Sequence, residues 1–256
     1  GFGAGLGRRL AIPAPGGWRR AADALVIVLA AGFLLVPLGA VLWRGLWGLS
    51  DLPPGLGAAL ARSVSVALAS TLLTTSAALV LALAVAARGS RLIEVAAMLP
   101  LAASALVLGT GLFLILRPWV RAEDVALPVT ILVNATLSLP FVYRLILPQA
   151  QAMQADFGRL ADSLSLKGAA RLRWLVLPRL SRPLGFGAGI AAAMSMGDLG
   201  VITLFAGESG ATLPLYVHRL MGAYRMDAAA AAALILVAVS FALFALFDLW
   251  GRRAAS

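Results

Sequence analysis

Residues 160–178 read "LADSLSLKGAARLRWLVLP". They carry Asp162, Lys167, Arg171 and Arg173 within a chain that is 61% hydrophobic, and long apolar runs lie on either side. Leu160, Ala161 and Leu164 recur at helical spacing. Lys167 followed by Gly168 predicts a helix end, with a cation in the last turn and a residue free to take positive φ. Leu172, Leu175 and Val176 then share one face of a second helix, which Pro178 and Pro183 are expected to stop. The pattern predicts a helix–Gly–helix elbow with an apolar and a basic side. Two uses fit it: a loop whose arginines meet anionic lipid headgroups, or an amphipathic element that docks into a groove on a soluble partner.

Outward from this segment the chain becomes a membrane protein. Mean hydropathy is +0.95 and charged residues are 12% of the 256, about half the roughly 25% of an ordinary globular domain. So few polar groups cannot cover a soluble surface of this size. Six apolar runs approach or exceed the ~20 residues that cross a bilayer: Ala24–Trp43, Val64–Ala87, Leu92–Leu116, Val125–Tyr143, Leu184–Phe205 and Ala228–Phe247. The expectation is an all-α membrane protein of six transmembrane helices. Residues 1–22 would form a cytoplasmic linker and residues 23–45 the first helix. Residues 58–249 would form a five-helix core, with the elbow at about 156–178.

A net charge of +10 would suggest nucleic acid in a soluble protein. In a multi-pass chain, Lys and Arg instead mark cytoplasmic loops. With both termini inside, fourteen basic residues are cytoplasmic and six external, and Arg144 closes the fourth span. This bias puts the elbow in the cytoplasm and predicts no nucleic-acid partner. The chain begins at Gly1 with "GFGAGLGRRLAIPAPGGWRR", which has no signal-peptide order and suggests a piece of a longer chain.

The connections differ. Residues 88–91, "RGSR", predict a tight hairpin, and residues 117–124 a short external link. Residues 144–183 would be the longest cytoplasmic segment. Residues 206–227 would be an external loop with an amphipathic stretch lying at the interface.

There is no cysteine and one histidine, His218, so disulfides and thiolate metal sites are excluded and common nucleophile–base pairs are scarce. No phosphate-binding Gly-x-x-x-x-Gly-Lys-[Ser/Thr] exists, since the sole lysine precedes Gly168. No cofactor, metal or catalytic set is expected, and any ATP hydrolysis belongs to another subunit.

The elbow resembles the cytoplasmic loop signature of bacterial ABC importer permeases: Glu-Ala-Ala, three residues, Gly, nine residues, then Ile-x-Leu-Pro. Arg159, Leu160 and Ala161 stand at Glu-Ala-Ala, Ser165 at the Gly, and Leu175 to Pro178 at the close. Arg159 and Ser165 depart from the pattern, and Gly168 follows three residues later. Further along, "SMGDLGVITLFAG" (195–207) and "TLPLYVHRLMGAYR" (212–225) look like the thiamine ABC transporter permeases. Members of that family carry two six-span halves, and this chain matches the second. The resemblance implies a type I importer permease in the bacterial inner membrane. Its partners would be two copies of an ABC ATPase, a periplasmic substrate-binding protein, the other six-span half and the lipid bilayer. It implies an ATPase-docking elbow at Leu160, Ala161, Asp162, Ser163, Leu164, Ser165, Gly168, Leu175, Leu177 and Pro178. Related permeases for ferric iron, molybdate, sulfate or polyamines share these features. An ion-coupled secondary transporter is the alternative of a different class.

Within the spans, Asp198 stands isolated among apolar neighbours in the fifth run. A carboxylate at membrane depth costs ~2.5–3.5 kcal/mol, so it should face protein or water. Asp198, Asn134 and Ser195 are the candidates for lining a pore. The hydroxyls of the second span, Ser70, Thr71, Thr74 and Thr75 among them, are expected to bond their own helix or a neighbour. Gly185, Gly187 and Gly189 read as close helix packing.

Overall fold

Long apolar windows fold as helices here because lipid offers the backbone no hydrogen-bond partners. The computed structural model describes residues 17–49, 53–207 and 210–254, and every regular element among them is helical. Of the expected linker, residues 1–16 lie outside the described residues.

The chain divides into two compact units, Gly1–Trp43 and Arg44–Ser256. The described part of the first is most of α1 (Trp18–Gly48), which is apolar around its circumference, the composition of a lipid-facing span. The second unit holds α2 (Leu56–Arg88), α3 (Arg91–Met98), α4 (Ala105–Leu116), α5 (Ala122–Ser163), α6 (Gly168–Arg171), α7 (Leu177–Met196), α8 (Ile202–Phe205), α9 (Leu213–Gly222) and α10 (Met226–Arg253). Among the described residues, α1, α2, α5 and α10 are long and apolar enough to cross a membrane, and a bent pair formed by α3 and α4 makes five.

Three expectations change. The run Leu92–Leu116 is not one straight helix. Pro100 sits in a tight 3₁₀ turn, Leu99–Ala102, and Ala103 and Ser104 are extended, so α3 and α4 meet at 94°. The run Leu184–Phe205 is also broken. α7 ends at Met196, non-helical residues follow, and α8 resumes at Ile202, so Asp198 lies past a helix end rather than inside a span. Finally, the fourth helix does not end with its apolar run at Tyr143. α5 runs unbroken for 42 residues through Pro128, Pro140 and Pro148. At 1.5 Å per residue it is about 63 Å long, roughly twice the hydrocarbon thickness. The hairpin at Arg88–Arg91 forms as expected, with Gly89 at φ 64° capping α2.

α7 packs closely on α10. A Cβ on Gly185 would stand 2.5 Å from the Phe247 carbonyl oxygen and 2.6 Å from Gly251 Cα, and one on Gly189 would meet Phe244 at 2.8 Å. Small residues here let two backbones touch. Tyr143, Ile146 and Leu180 centre a core shared by α2, α5 and α7. The amphipathic stretch of 206–227 does form a helix, α9. Its apolar side is covered by protein: Leu213 and Leu220 pack with Leu56 and Ala59 of α2 and with Ala229 and Ala232 of α10.

Candidate functional site

Two features collect the residues singled out in the sequence: the elbow after α5, and a cavity where α5 meets the end of α7.

The first elbow arm ends earlier than Lys167. Ser165 takes φ 53°. The Leu166 N–H reaches back to the Ala161 carbonyl at 2.9 Å, and the Ser165 N–H to that of Asp162 at 3.0 Å. This pair of bonds is the Schellman closure of a helix, with Ser165 where glycine is usual. Gly168, at φ 55°, makes the second left-handed step and opens the return arm. Pro178 does not stop that arm. It lies just after a wide π-type turn, at the second residue of α7, and the helix continues through it. α6 passes through one wide π-type turn, Leu172–Val176, directly into α7, with right-handed helical angles at both joins. The return arm and α7 are therefore one rod from Gly168 to Met196.

The arms are fastened together. Arg171 donates to Gln154 Oε1 at 2.7 Å and pairs with Asp162 at 3.4 Å. The Arg179 guanidinium sits 4.2 Å from the centre of the Phe157 ring. The basic side thus partly serves the elbow itself. The expected apolar side divides. Ala161 and Val176 face inward at 2% and 3% exposure, and Leu175 is half-buried. Leu160, Leu164 and Trp174 point out at 54%, 62% and 70%; Asp162, Ser163, Ser165, Gly168, Leu177 and Pro178 are exposed.

The second feature unites the three pore candidates. Asn134 on α5, Ser195 on α7 and Asp198 just beyond it line one cavity of about 330 Å³, with Leu137, Ala193, Met194 and Gly197. Asn134 Nδ2 donates to Ser195 Oγ at 3.0 Å, and Ser70 Oγ on α2 donates to the same oxygen at 2.9 Å. Ser138 Oγ bonds the Asn134 carbonyl at 2.7 Å and lies 2.8 Å from Thr74 Oγ1, whose hydroxyl also reaches the Ser70 carbonyl at 2.8 Å. These contacts join polar groups of α2, α5 and α7 in a ring, in which Thr74 and Ser138 each donate their one proton to a carbonyl and meet each other as an oxygen–oxygen contact. Thr75, by contrast, bonds its own helix at the Thr71 carbonyl. Ser138 was not singled out from the sequence; its signal was its place four residues after Asn134, on the same helix face. Arg144 is exposed and is not among the cavity walls.

Asp198 is held but half satisfied. Its Oδ1 accepts the Gly200 N–H at 3.2 Å, and its own N–H donates to the Ser195 carbonyl at 3.3 Å. Its Oδ2 is buried and has no hydrogen-bond partner. No group of three His, Cys, Asp or Glu gathers among the described residues, so the cavity offers hydrogen bonds and one carboxylate.

No family model matches the chain. It is 35% identical to the thiamine transport system permease protein ThiP of Salmonella typhimurium over 261 residues, covering 93% of this chain and 48% of that protein. It is 33% identical to ThiP of Escherichia coli over 252 residues, covering 91% and 47%. The sulfate transport system permease protein CysW of Synechococcus elongatus is a weaker match, 26% identical over 155 residues and 56% of this chain. The chain spans about half the length of the thiamine permeases it matches.

Proposed function

This chain is a homologue of the thiamine transport system permease proteins, and we propose that it forms half of the membrane subunit of an ATP-driven importer for thiamine or its phosphates. Six crossings would be made by α1, α2, the broken α3–α4 pair, α5, α7 and α10. They would lie in a bacterial inner membrane with both termini cytoplasmic. A second six-span half completes the path, two ATPase subunits receive the elbows, and a periplasmic binding protein delivers substrate.

The observation that carries this reading, beside the homology, is mechanical. Both elbow arms continue without a break into helices that line the cavity: α5 brings Asn134 and the rod ending in α7 brings Ser195. The outward Leu160, Leu164 and Trp174 give a partner an apolar grip on the joint between them. An ATPase that binds the elbow differently in its two states shifts the equilibrium between two arrangements of these helices. The cavity is then a part of the translocation path.

The test is uptake of labelled thiamine into vesicles carrying the complete permease, its ATPase and its binding protein, with ferric iron, molybdate and sulfate as competing cargoes. Uptake that needs ATP and prefers thiamine supports the reading. Preference for another cargo overturns the substrate, and uptake driven by an ion gradient without ATP overturns the class.

A further inference from the structure

The Asp198 carboxylate has an arrangement that the reading as a path wall does not require. One oxygen is fixed by the Gly200 N–H, which sets the orientation of the group. The other is buried without a hydrogen-bond partner. Asp198 shares the cavity with Asn134 and Ser195, and Ser195 Oγ already accepts from both Asn134 and Ser70. The ring of bonds thus holds the neighbouring side chains in place and leaves Asp198 Oδ2 as an unused acceptor. An anionic acceptor removed from water gains most from a ligand that is itself positive, because an uncompensated buried charge is costly and a fixed cation beside it offsets that cost. The remaining walls, Leu137, Ala193 and Met194, suit a flat apolar ring. At about 330 Å³ the cavity is at the small end of ligand sites, sized for one ring system rather than a large solute.

We infer that Asp198, oriented by Gly200 and set beside Asn134 and Ser195, is a subsite for a cationic heteroaromatic ring, the charged ring of the thiamine class of substrate. The inference rests on the importer reading above. It adds that this half of the path senses substrate charge, with Asp198 as the recognising group.

The test uses the complete permease–ATPase complex in vesicles with its binding protein. Wild type, Asp198→Asn and Asp198→Glu are compared on two cargoes: thiamine, and its neutral isostere with thiophene in place of thiazolium. Each cargo is supplied at saturation of the binding protein. The binding protein is common to all variants, so its own preference cancels when each variant is divided by wild type. Losing the charge pair predicts that Asp198→Asn slows thiamine about tenfold or more and leaves the isostere at its wild-type rate. Asp198→Glu should keep most thiamine transport. Substrate-free ATPase activity is measured alongside in both variants. Equal loss for the two cargoes would mean a structural role, and raised substrate-free ATPase would mean a gate; either overturns the subsite, as does Asp198→Asn transporting thiamine normally. Failure of the importer reading looks different, because wild type itself then shows no ATP-dependent thiamine uptake.

Discussion

The Leu166 N–H is bonded to the Ala161 carbonyl at 2.9 Å across Ser165, a non-glycine residue at φ 53°. For an L-residue the left-handed region costs roughly 1–2 kcal/mol, which glycine avoids. Ser165→Gly should therefore stabilise the elbow by about 1 kcal/mol, less the entropy glycine gives back in the unfolded chain. Hydrogen exchange at Leu166 should slow. Ser165→Val should speed it, since a β-branched residue tolerates positive φ worst. Equal exchange in the two variants would show that the turn does not need this conformation.

The outer face of the elbow should be separable from its inner face. Leu164→Asp alters an exposed residue, so expression and thermal stability should stay near wild type while co-purification of the ATPase falls. Ala161→Glu places a charge where the residue is 2% exposed and should destabilise the elbow by several kcal/mol through burial of an unpaired carboxylate. An intact Leu164→Asp protein that retains the ATPase at full yield would move the docking surface elsewhere.

Ser195 serves as common acceptor for Ser70 and Asn134. Hydrogen bonds between membrane helices average about 0.6 kcal/mol. Ser195→Ala should cost about 1 kcal/mol, and the double change Ser70→Ala with Ser195→Ala less than the sum of its parts. Unfolding in detergent across that double-mutant cycle measures the coupling. Strict additivity would mean that the ring does not act as a unit.

Glycines in this chain should divide sharply under substitution. Gly185→Ala drives a methyl into the α10 backbone at 2.5 Å. α7 and α10 must separate, so the loss should be at least the 1–3 kcal/mol of an overpacked core. Gly111→Ala in α4 meets nothing within 4 Å and should be neutral or stabilising by up to about 1 kcal/mol. Melting temperatures of the two variants give the comparison directly.

What the sequence made legible follows the strength of its local signals. α2 and α10 are long runs of high hydropathy, and their helices appear where that hydropathy puts them. The three pore candidates were chosen for being polar among apolar neighbours, and packing brings all three to one cavity. The misjudged features all involve proline and glycine, whose effect depends on neighbours. Pro128 and Pro140 lie inside α5, as expected of a membrane helix, but α5 also continues through Pro148. Pro178 lies within the return arm's rod instead of ending it, whereas Pro100 marks a right-angle break. Gly168 carries the visible glycine signal, but the chain first reverses at Ser165, whose side chain gives no such sign. Which of Leu160, Ala161 and Leu164 faces inward depends on the return arm, which local periodicity does not encode.

The continuity of the return arm with α7 has a geometric consequence. From Gly168 to Met196 the rod is about 42 Å long at 1.5 Å per residue. With α5 it makes a pair of tongs: the handles meet at the elbow, and the jaws close on the 3.0 Å bond between Asn134 and Ser195. Tilting one handle by about one degree swings its jaw by about 0.7 Å over that length. That is enough to take the bond past the ~3.5 Å at which it ceases to hold. A displacement smaller than an atomic radius at the elbow end thus suffices to unlatch the cavity at the other.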